Sequence, residues 1–263
     1  MGLIDVFNPD NCNTLMGMAM LDKKVAVVTG AATGIGEAIA RLFVEEGAQV
    51  CCWDRNAQKN EEAASRMGRG ARAMTVDVAD GARVRAAMNE AVAQLGRVDI
   101  LINNAGIFPR RSFLEMTEQD WDDMQNVNLK SMFHCIQAAA PGMLERGSGK
   151  IVTISSVTFH LGVAGLTHYV ASKGGVIGLT RSLAREFGEK NVHINCITPG
   201  AINSESEKNF VSAEQIAVFL GNQSIKRRIT PLDVARVALF LSSELSDSMT
   251  GQTLNVDGGW AMH

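Results

Sequence analysis

Short runs of continuous apolar residues alternate along this chain with longer segments in which apolar residues return every three or four positions. The first run, "KKVAVVTG", is β-branched, ends at Gly30 and reads as a buried parallel strand, apolar on both faces. A helical pattern follows at once over residues 35–46, "IGEAIARLFVEE", with Ile35, Ile39, Leu42 and Phe43 on one face and Gly47 as the closing glycine. Strand-like runs recur at "AQVCCW", "ARAMTV", "VDILIN", "GKIVTIS", "VHINCIT" and "QTLNV", most of them separated by helical patterns. Such a βαβ series predicts an α/β fold: one mostly parallel, doubly wound sheet with helices on both faces, because parallel crossovers are right-handed. No Pro/Gly/Ser-rich linker, internal repeat or low-complexity tract interrupts it, so a single domain is expected over residues 21–263, preceded by an irregular extension at 1–20. The longest segment outside the alternation, Ala201 to Thr230, has a length usually kept for a functional element and reads as a substrate lid.

With 263 residues, 46% of them hydrophobic, the chain can bury a sizeable core. The net charge of −3 and the scatter of Lys and Arg argue against nucleic acid as a partner and favour small-molecule chemistry. Cys12, Cys51, Cys52, Cys135 and Cys196 show neither metal-ligand spacing nor a disulfide framework, so no metal is expected and a reducing, cytoplasmic setting fits. No apolar run reaches the roughly 18 residues of a membrane span, and the first residues lack the basic and apolar blocks of a secretion signal. Met16, Met18 and Met20 read as alternative translation starts rather than a soft-metal tract.

The stretch "TGAATGIG", Thr29 to Gly36, falls where the first strand gives way to the first helix. Backbone N–H groups and the positive end of a helix dipole meet there, and phosphate is their natural guest. Glycines at 30, 34 and 36 permit a tight turn, close approach of a pyrophosphate and close helix–strand packing, although a glycine-rich turn alone also serves as a plain tight loop. Asp54 closes the second strand 18 residues after Gly36, where a carboxylate meets the two hydroxyls of an adenosine ribose and repels a 2′-phosphate. That favours NAD over NADP. Arg55, next to it, works in the opposite direction.

"TGAATGIG", "NNAG" at Asn103–Gly106, "VNLK" around Asn128, Ser156, "YVASK" from Tyr169 to Lys173, "TPGAI" and the closing "TGQTLNVDGG" together resemble the short-chain dehydrogenase/reductase family, in its single-domain branch, over nearly the whole of residues 21–263. The resemblance implies a three-layer Rossmann fold with seven parallel strands and reversible hydride transfer between NAD(P) and an alcohol or carbonyl. It makes Asn128, Ser156, Tyr169 and Lys173 the catalytic set, Ser156 being chosen over Ser155 by its interval of thirteen residues to Tyr169. On the cofactor it implies Gly30, Thr33, Gly34, Ile35 and Gly36 in the turn, Asp54 and Arg55 at the ribose, Asp77 and Val78 at the adenine, and Asn104, Ala105 and Gly106 behind the adenosine ribose. Tyr169, Lys173, Pro199, Gly200, Ile202 and Ser204 belong to the nicotinamide side, Ser204 standing where the family often has threonine. The family also commonly assembles as tetramers through long helices and the C-terminal strand region, so a homotetramer is expected.

The chemistry agrees with the spacing. Residues i and i+4 share a helix face, which sets Lys173 beside Tyr169, the only tyrosine in the chain. Oxidising an alcohol near neutral pH asks for a phenol pKa below about 10, and a nearby positive charge lowers it. Ser156 is suited to hydrogen-bond the substrate oxygen; the resemblance adds a contact from Lys173 to the nicotinamide ribose and a water relay held by Asn128. The resemblance puts on the substrate side Phe108 and Pro109, then Phe159 and Leu161 with His160 and His168 flanking them, then Phe210, Ile216, Phe219 and Leu220 of the lid. Apolar walls suit rings better than sugars, whose hydroxyls would be buried unpaired. Similarity of "TFHLG…THYVASK" to family members acting on 1-phenylethanol and pyridoxal points the same way, toward a hydrophobic cyclic or aromatic alcohol and its ketone or aldehyde. The paired arginines 110 and 111 and "KRR" at 226–228 read as solvated loop charges as readily as anion sites. Two other functions share these motifs: a 3-oxoacyl-[acyl-carrier-protein] reductase, and a catalytically silent cofactor sensor or scaffold.

Overall fold

The computed structural model describes residues 19–204 and 211–262. Strands β1 (Val25–Thr29), β2 (Gln49–Asp54), β3 (Ala71–Thr75), β4 (Ile100–Asn103), β5 (Gly149–Ile154), β6 (Val192–Pro199) and β7 (Thr253–Val256) form one 7-stranded sheet in the order β3-β2-β1-β4-β5-β6-β7. Every pairing in it is parallel. The helices are α1 (Gly34–Glu45), α2 (Ala57–Met67), α3 (Gly81–Leu95), α4 (Glu118–Gln125), α5 (Ser131–Arg146), the single turn α6 (Thr158–Leu161), α7 (Thr167–Phe187), α8 (Ala213–Asn222) and α9 (Pro231–Ser242).

Side chains alternate across the strands, and in the central ones both faces find an apolar layer. Val25 and Val27 of β1 and Cys51 and Trp53 of β2 pack with α3, α5 and α7, whereas Ala26, Val28, Val50 and Cys52 pack with α1 and α9. This is why the strands read as unbroken apolar runs. Burial also fixes the thiols: Cys51 is pushed up to about 11, and Cys52 and Cys135 to about 12. Cys196 is raised by burial as well. Cys12, Met16 and Met18 lie outside the described residues.

The predicted strands and the three-layer arrangement are found as expected, with α1 beginning at Gly34, one residue earlier than its apolar stripe. Residues 201–230 are not a bare loop: they contain α8 and are closed at their base by a bridge between Ile202 and Ile229. Residues 205–210, Phe210 among them, lie outside the described residues. The periodicity gave no sign of the π-helical turn at Asn126–Lys130, where α4 passes into α5 with five-residue spacing.

Strand order reverses between β1 and β4, the point where an open α/β sheet leaves a crevice beyond its carboxyl ends. At that edge Thr29 Oγ1 accepts the backbone N–H groups of Asn104 (2.9 Å) and Ala105 (3.0 Å), while Asn104 Nδ2 donates to Thr29 O (2.9 Å). The turn after β1 is thereby tied to the turn after β4. Gly36 completes the joint: a Cβ there would stand 2.0 Å from the carbonyl oxygen of Gly30 and 2.6 Å from Asn104 Nδ2. Gly36→Ala is therefore expected to cost about 3 kcal/mol or more, since backbone rather than a pliable side chain would have to move. A urea titration checks it, the midpoint falling with little change in slope.

Candidate active site

Four turns meet at the crevice. In the first, Gly30 and Gly34 take positive φ values of 66° and 62°, turning the chain sharply into α1. Thr33 at the N-cap of α1 makes no side-chain cap bond, in contrast to Asn56, Asp80, Thr117 and Ser212, which cap α2, α3, α4 and α8. The first N–H groups of α1 are thus left to the turn, as an anion site requires. Asp54 lies at the rim of the same turn, its carboxylate accepting from Ala32 N (3.2 Å) and Asn56 N (2.9 Å), while Arg55 is exposed. Asp77 accepts from Ala79 N (2.9 Å), and Val78 beside it is buried.

The turn after β6 closes the crevice from the other side. Gly200 N donates to Val256 O (3.0 Å), and Val157 N donates to Pro199 O (3.0 Å). Gly200 packs so closely on Asp257 that a Cβ would come within 2.8 Å of its Cβ. Ile202 is buried, and Ser204 lies across the crevice, its Cβ 4.0 Å from where a Cβ on Gly34 would stand. The uncapped helix, the acidic rim and the glycine cradle fit a dinucleotide.

The expected catalytic side chains come from three elements. Tyr169 and Lys173 share a face of α7, with Nζ 5.5 Å from the centre of the phenol ring. Lys173 is buried, donates from Nζ to Ile154 O (2.8 Å), and is held by burial at about 8 against an ordinary 10.5. Asn128 is completely buried in the π-helical turn, where its amide pairs with both backbone groups of Ile107 and donates to Ser172 Oγ (3.3 Å). A Cβ on Gly106 would lie 3.2 Å from Asn128 Oδ1 and 3.6 Å from Lys173 Nζ, so this small residue is where the two approach. The Ser156 hydroxyl interacts with the phenol and acts to lower its pKa. Its neighbour Ser155 faces away and donates to the carbonyl of Lys173 (2.8 Å).

The phenol differs from expectation. Burial raises the Tyr169 pKa, and only the Ser156 hydroxyl opposes it. Lys173 does not bring it down because the same dry surroundings weaken the lysine's own hold on a proton.

On the substrate side, Phe108 is 58% exposed at the mouth, with exposed Phe113 and Leu114 after it in the chain. Phe159 is partly held elsewhere, its ring against Gly174 of α7 and its edge toward His160 at 5.2 Å. His168 is not an open wall group: it is completely buried, burial lowers its pKa, and its charged neighbours are Asp120 of α4 and Arg111. Ile216, Phe219 and Leu220 are half-buried on α8, which leans on the C-terminal turn through Phe219 and Trp260, 5.6 Å apart, and through Gln223 Nε2 to Asp257 O (3.1 Å). Trp260, Ser172 and Thr158, which touch this site's residues, gave no signal in the sequence, because each enters through a contact between distant segments or a local turn.

Comparison with known proteins shows the family. The family model described as enoyl-(acyl carrier protein) reductase matches residues 30–261. The chain is 38% identical over 248 residues to the 3-oxoacyl-[acyl-carrier-protein] reductase FabG of Chlamydia pneumoniae, covering 93% of this chain and 99% of that one. It is 40% identical over 243 residues to the enzyme of the same name from Staphylococcus aureus strain Mu50, covering 91% and 98%. With the probable galactose dehydrogenase GalD of Rhizobium meliloti it shares 38% identity over 238 residues, covering 89% and 93%. The chain belongs to the short-chain dehydrogenase/reductase family and is an oxidoreductase acting on CH–OH groups with a nicotinamide cofactor. Among the described residues, no helix is long and apolar enough to cross a membrane.

The buried amine gives a test of this geometry. The unfolded chain keeps the Lys173 proton up to about 10.5 and the folded chain only to about 8. The cost of burying the charge is therefore complete below pH 8 and is relieved as pH rises from 8 toward 10.5. Melting wild type and Lys173→Met side by side from pH 7 to 10 should show their difference moving in favour of wild type across that window.

Proposed function

We propose that the chain is an NAD-dependent dehydrogenase of a hydrophobic cyclic or aromatic alcohol, with Asn128, Ser156, Tyr169 and Lys173 as its catalytic set. The observation that carries the reading is the meeting of Tyr169, Lys173 and Ser156 beside a glycine turn whose helix start is uncapped. In this reading Tyr169 exchanges the proton of the alcohol hydroxyl, Ser156 donates a hydrogen bond to the substrate oxygen, and Asn128 and Lys173 hold the route by which the proton leaves. A nicotinamide cofactor held by the glycine turn and the Pro199–Ser204 turn would supply the hydride acceptor or donor, and its positive charge when oxidised would favour the ionised phenol that burial disfavours. Tyr169→Phe should keep NAD binding while turnover falls on the order of 100-fold or more, read from single-turnover absorbance and NAD titration.

The preference for NAD rests on Asp54. Its carboxylate is fixed by the Ala32 and Asn56 N–H groups, and residues 31–33 of the facing turn contain no cation to balance a 2′-phosphate. Asp54→Ser should raise kcat/KM with NADP relative to NAD, Arg55 then serving the phosphate; steady-state kinetics with both cofactors check it.

Phe108 and the apolar residues of α8 support a ring substrate over a sugar. The names of the relatives favour a second reading, reduction of a 3-oxoacyl group on an acyl carrier protein. Several cations flanking the crevice are already engaged, Arg111 with Asp120, Arg227 with Asp233 and Lys226 with the last carbonyls of α8, which leaves fewer for an acidic carrier. A panel of 1-phenylethanol, cyclohexanol, pyridoxal, glucose, ribitol and a 3-oxoacyl thioester, each with NAD(H) and NADP(H), separates the readings. The first three should lead with NAD, whereas a leading thioester with NADPH would establish the second. A homotetramer also forms part of the proposal: the apolar groove between α5 and α7, lined by Leu129, Phe133, Gly175 and Leu179, supports self-association.

A further inference from the structure

We propose that Thr158 is a positioning residue that makes Ser156 a hydrogen-bond donor. The inference rests on the active-site reading above and adds a residue to it. A serine hydroxyl has one proton and two lone pairs. Ser156 Oγ accepts from Thr158 N (3.2 Å) and from Thr158 Oγ1 (3.0 Å), so one residue occupies both lone pairs from one side. With both lone pairs taken by Thr158, the Ser156 proton is directed away from Thr158 and is available to an acceptor in the site.

A substrate oxygen that gains negative charge during hydride transfer is stabilised by a donor fixed in advance; a hydroxyl free to present its lone pairs would have to rotate first. Thr158 is well placed to prevent that rotation. It opens α6, the turn tied down by Val157 N to Pro199 O (3.0 Å), Phe159 N to Ser156 O (3.2 Å) and His160 N to Val157 O (2.9 Å). Its β-branched side chain has few rotamers to choose from, and it is half-buried.

The test compares wild type, Thr158→Val, Thr158→Ser, Ser156→Ala and the double variant Ser156→Ala/Thr158→Val, each with NAD and the alcohol of the panel that wild type turns over fastest. Thr158→Val should lower kcat about ten-fold, the loss of one well-placed hydrogen bond, with the alcohol KM, the NAD affinity and the melting temperature close to wild type. Thr158→Ser should recover most of that loss. In the Ser156→Ala background the valine should cost nothing further, because Thr158 acts only through that hydroxyl. Wild-type turnover in Thr158→Val, or a full additional ten-fold loss in the double variant, overturns the proposal. If the valine variant does not fold, Thr158→Ala carries the same cycle. Unimpaired turnover in Ser156→Ala would instead overturn the active-site reading itself, and the role of Thr158 with it.

Discussion

A single buried amine organises the reactive end of this molecule. Lys173 is secured at both of its ends, its Nζ by the carbonyl of Ile154 where β5 stops and its own carbonyl by the hydroxyl of Ser155 in the next residue. An ammonium cannot be taken from water without polar partners, and here the partners are the free end of a strand. The consequence is positional. Helix α7 is fastened to β5 at the residue whose side chain faces the phenol, so Tyr169 one turn earlier and Ser156 two residues beyond the strand are brought to one place by the same two bonds. The sheet edge supplies the rest, because β4 and β1 end beside it and the Asn104 amide ties their turns together.

Much of this was legible in the amino-acid order, for reasons particular to the residues. Strands lying between two helical layers must be apolar on both faces, and "VAVVT" and "QVCCW" announce that by having no polar alternation to give. Tyr169 and Lys173 are close in sequence and share a helix, so their proximity needs only the helix period. Contacts across long stretches of chain were silent. Asn128 reaches the site through a π-helical turn that no periodicity marks, and its amide is held by Ile107, 21 residues away. Trp260 meets Phe219 from a segment distant in the sequence. The titration of Tyr169 could not be read from spacing either, since it depends on how much water the fold removes from both partners.

Asp54 and Lys173 show two different uses of backbone groups. At Asp54, two N–H groups hold a carboxylate at the rim of the turn, so its orientation is fixed by the main chain instead of by another side chain. At Lys173, a carbonyl holds an ammonium deep in the interior. In both cases the charged group's direction is set by main-chain groups at or just beyond the ends of strands. The part of the site formed by α8 is anchored differently, by ring contact and by hydrogen bonds from Gln223, Ser224 and Ile225 to the C-terminal turn.

The thiols carry a consequence for an enzyme that handles electrons. With Cys51, Cys52 and Cys135 held near 11 to 12 and kept from solvent, on the order of one in 10⁴ or fewer of them exists as thiolate at neutral pH. Peroxide and alkylating reagents attack the thiolate, so these sulfurs are spectators in oxidising conditions that would convert an exposed cysteine to a sulfenic acid. These three core sulfurs are thereby kept out of the thiolate chemistry that an exposed cysteine would enter.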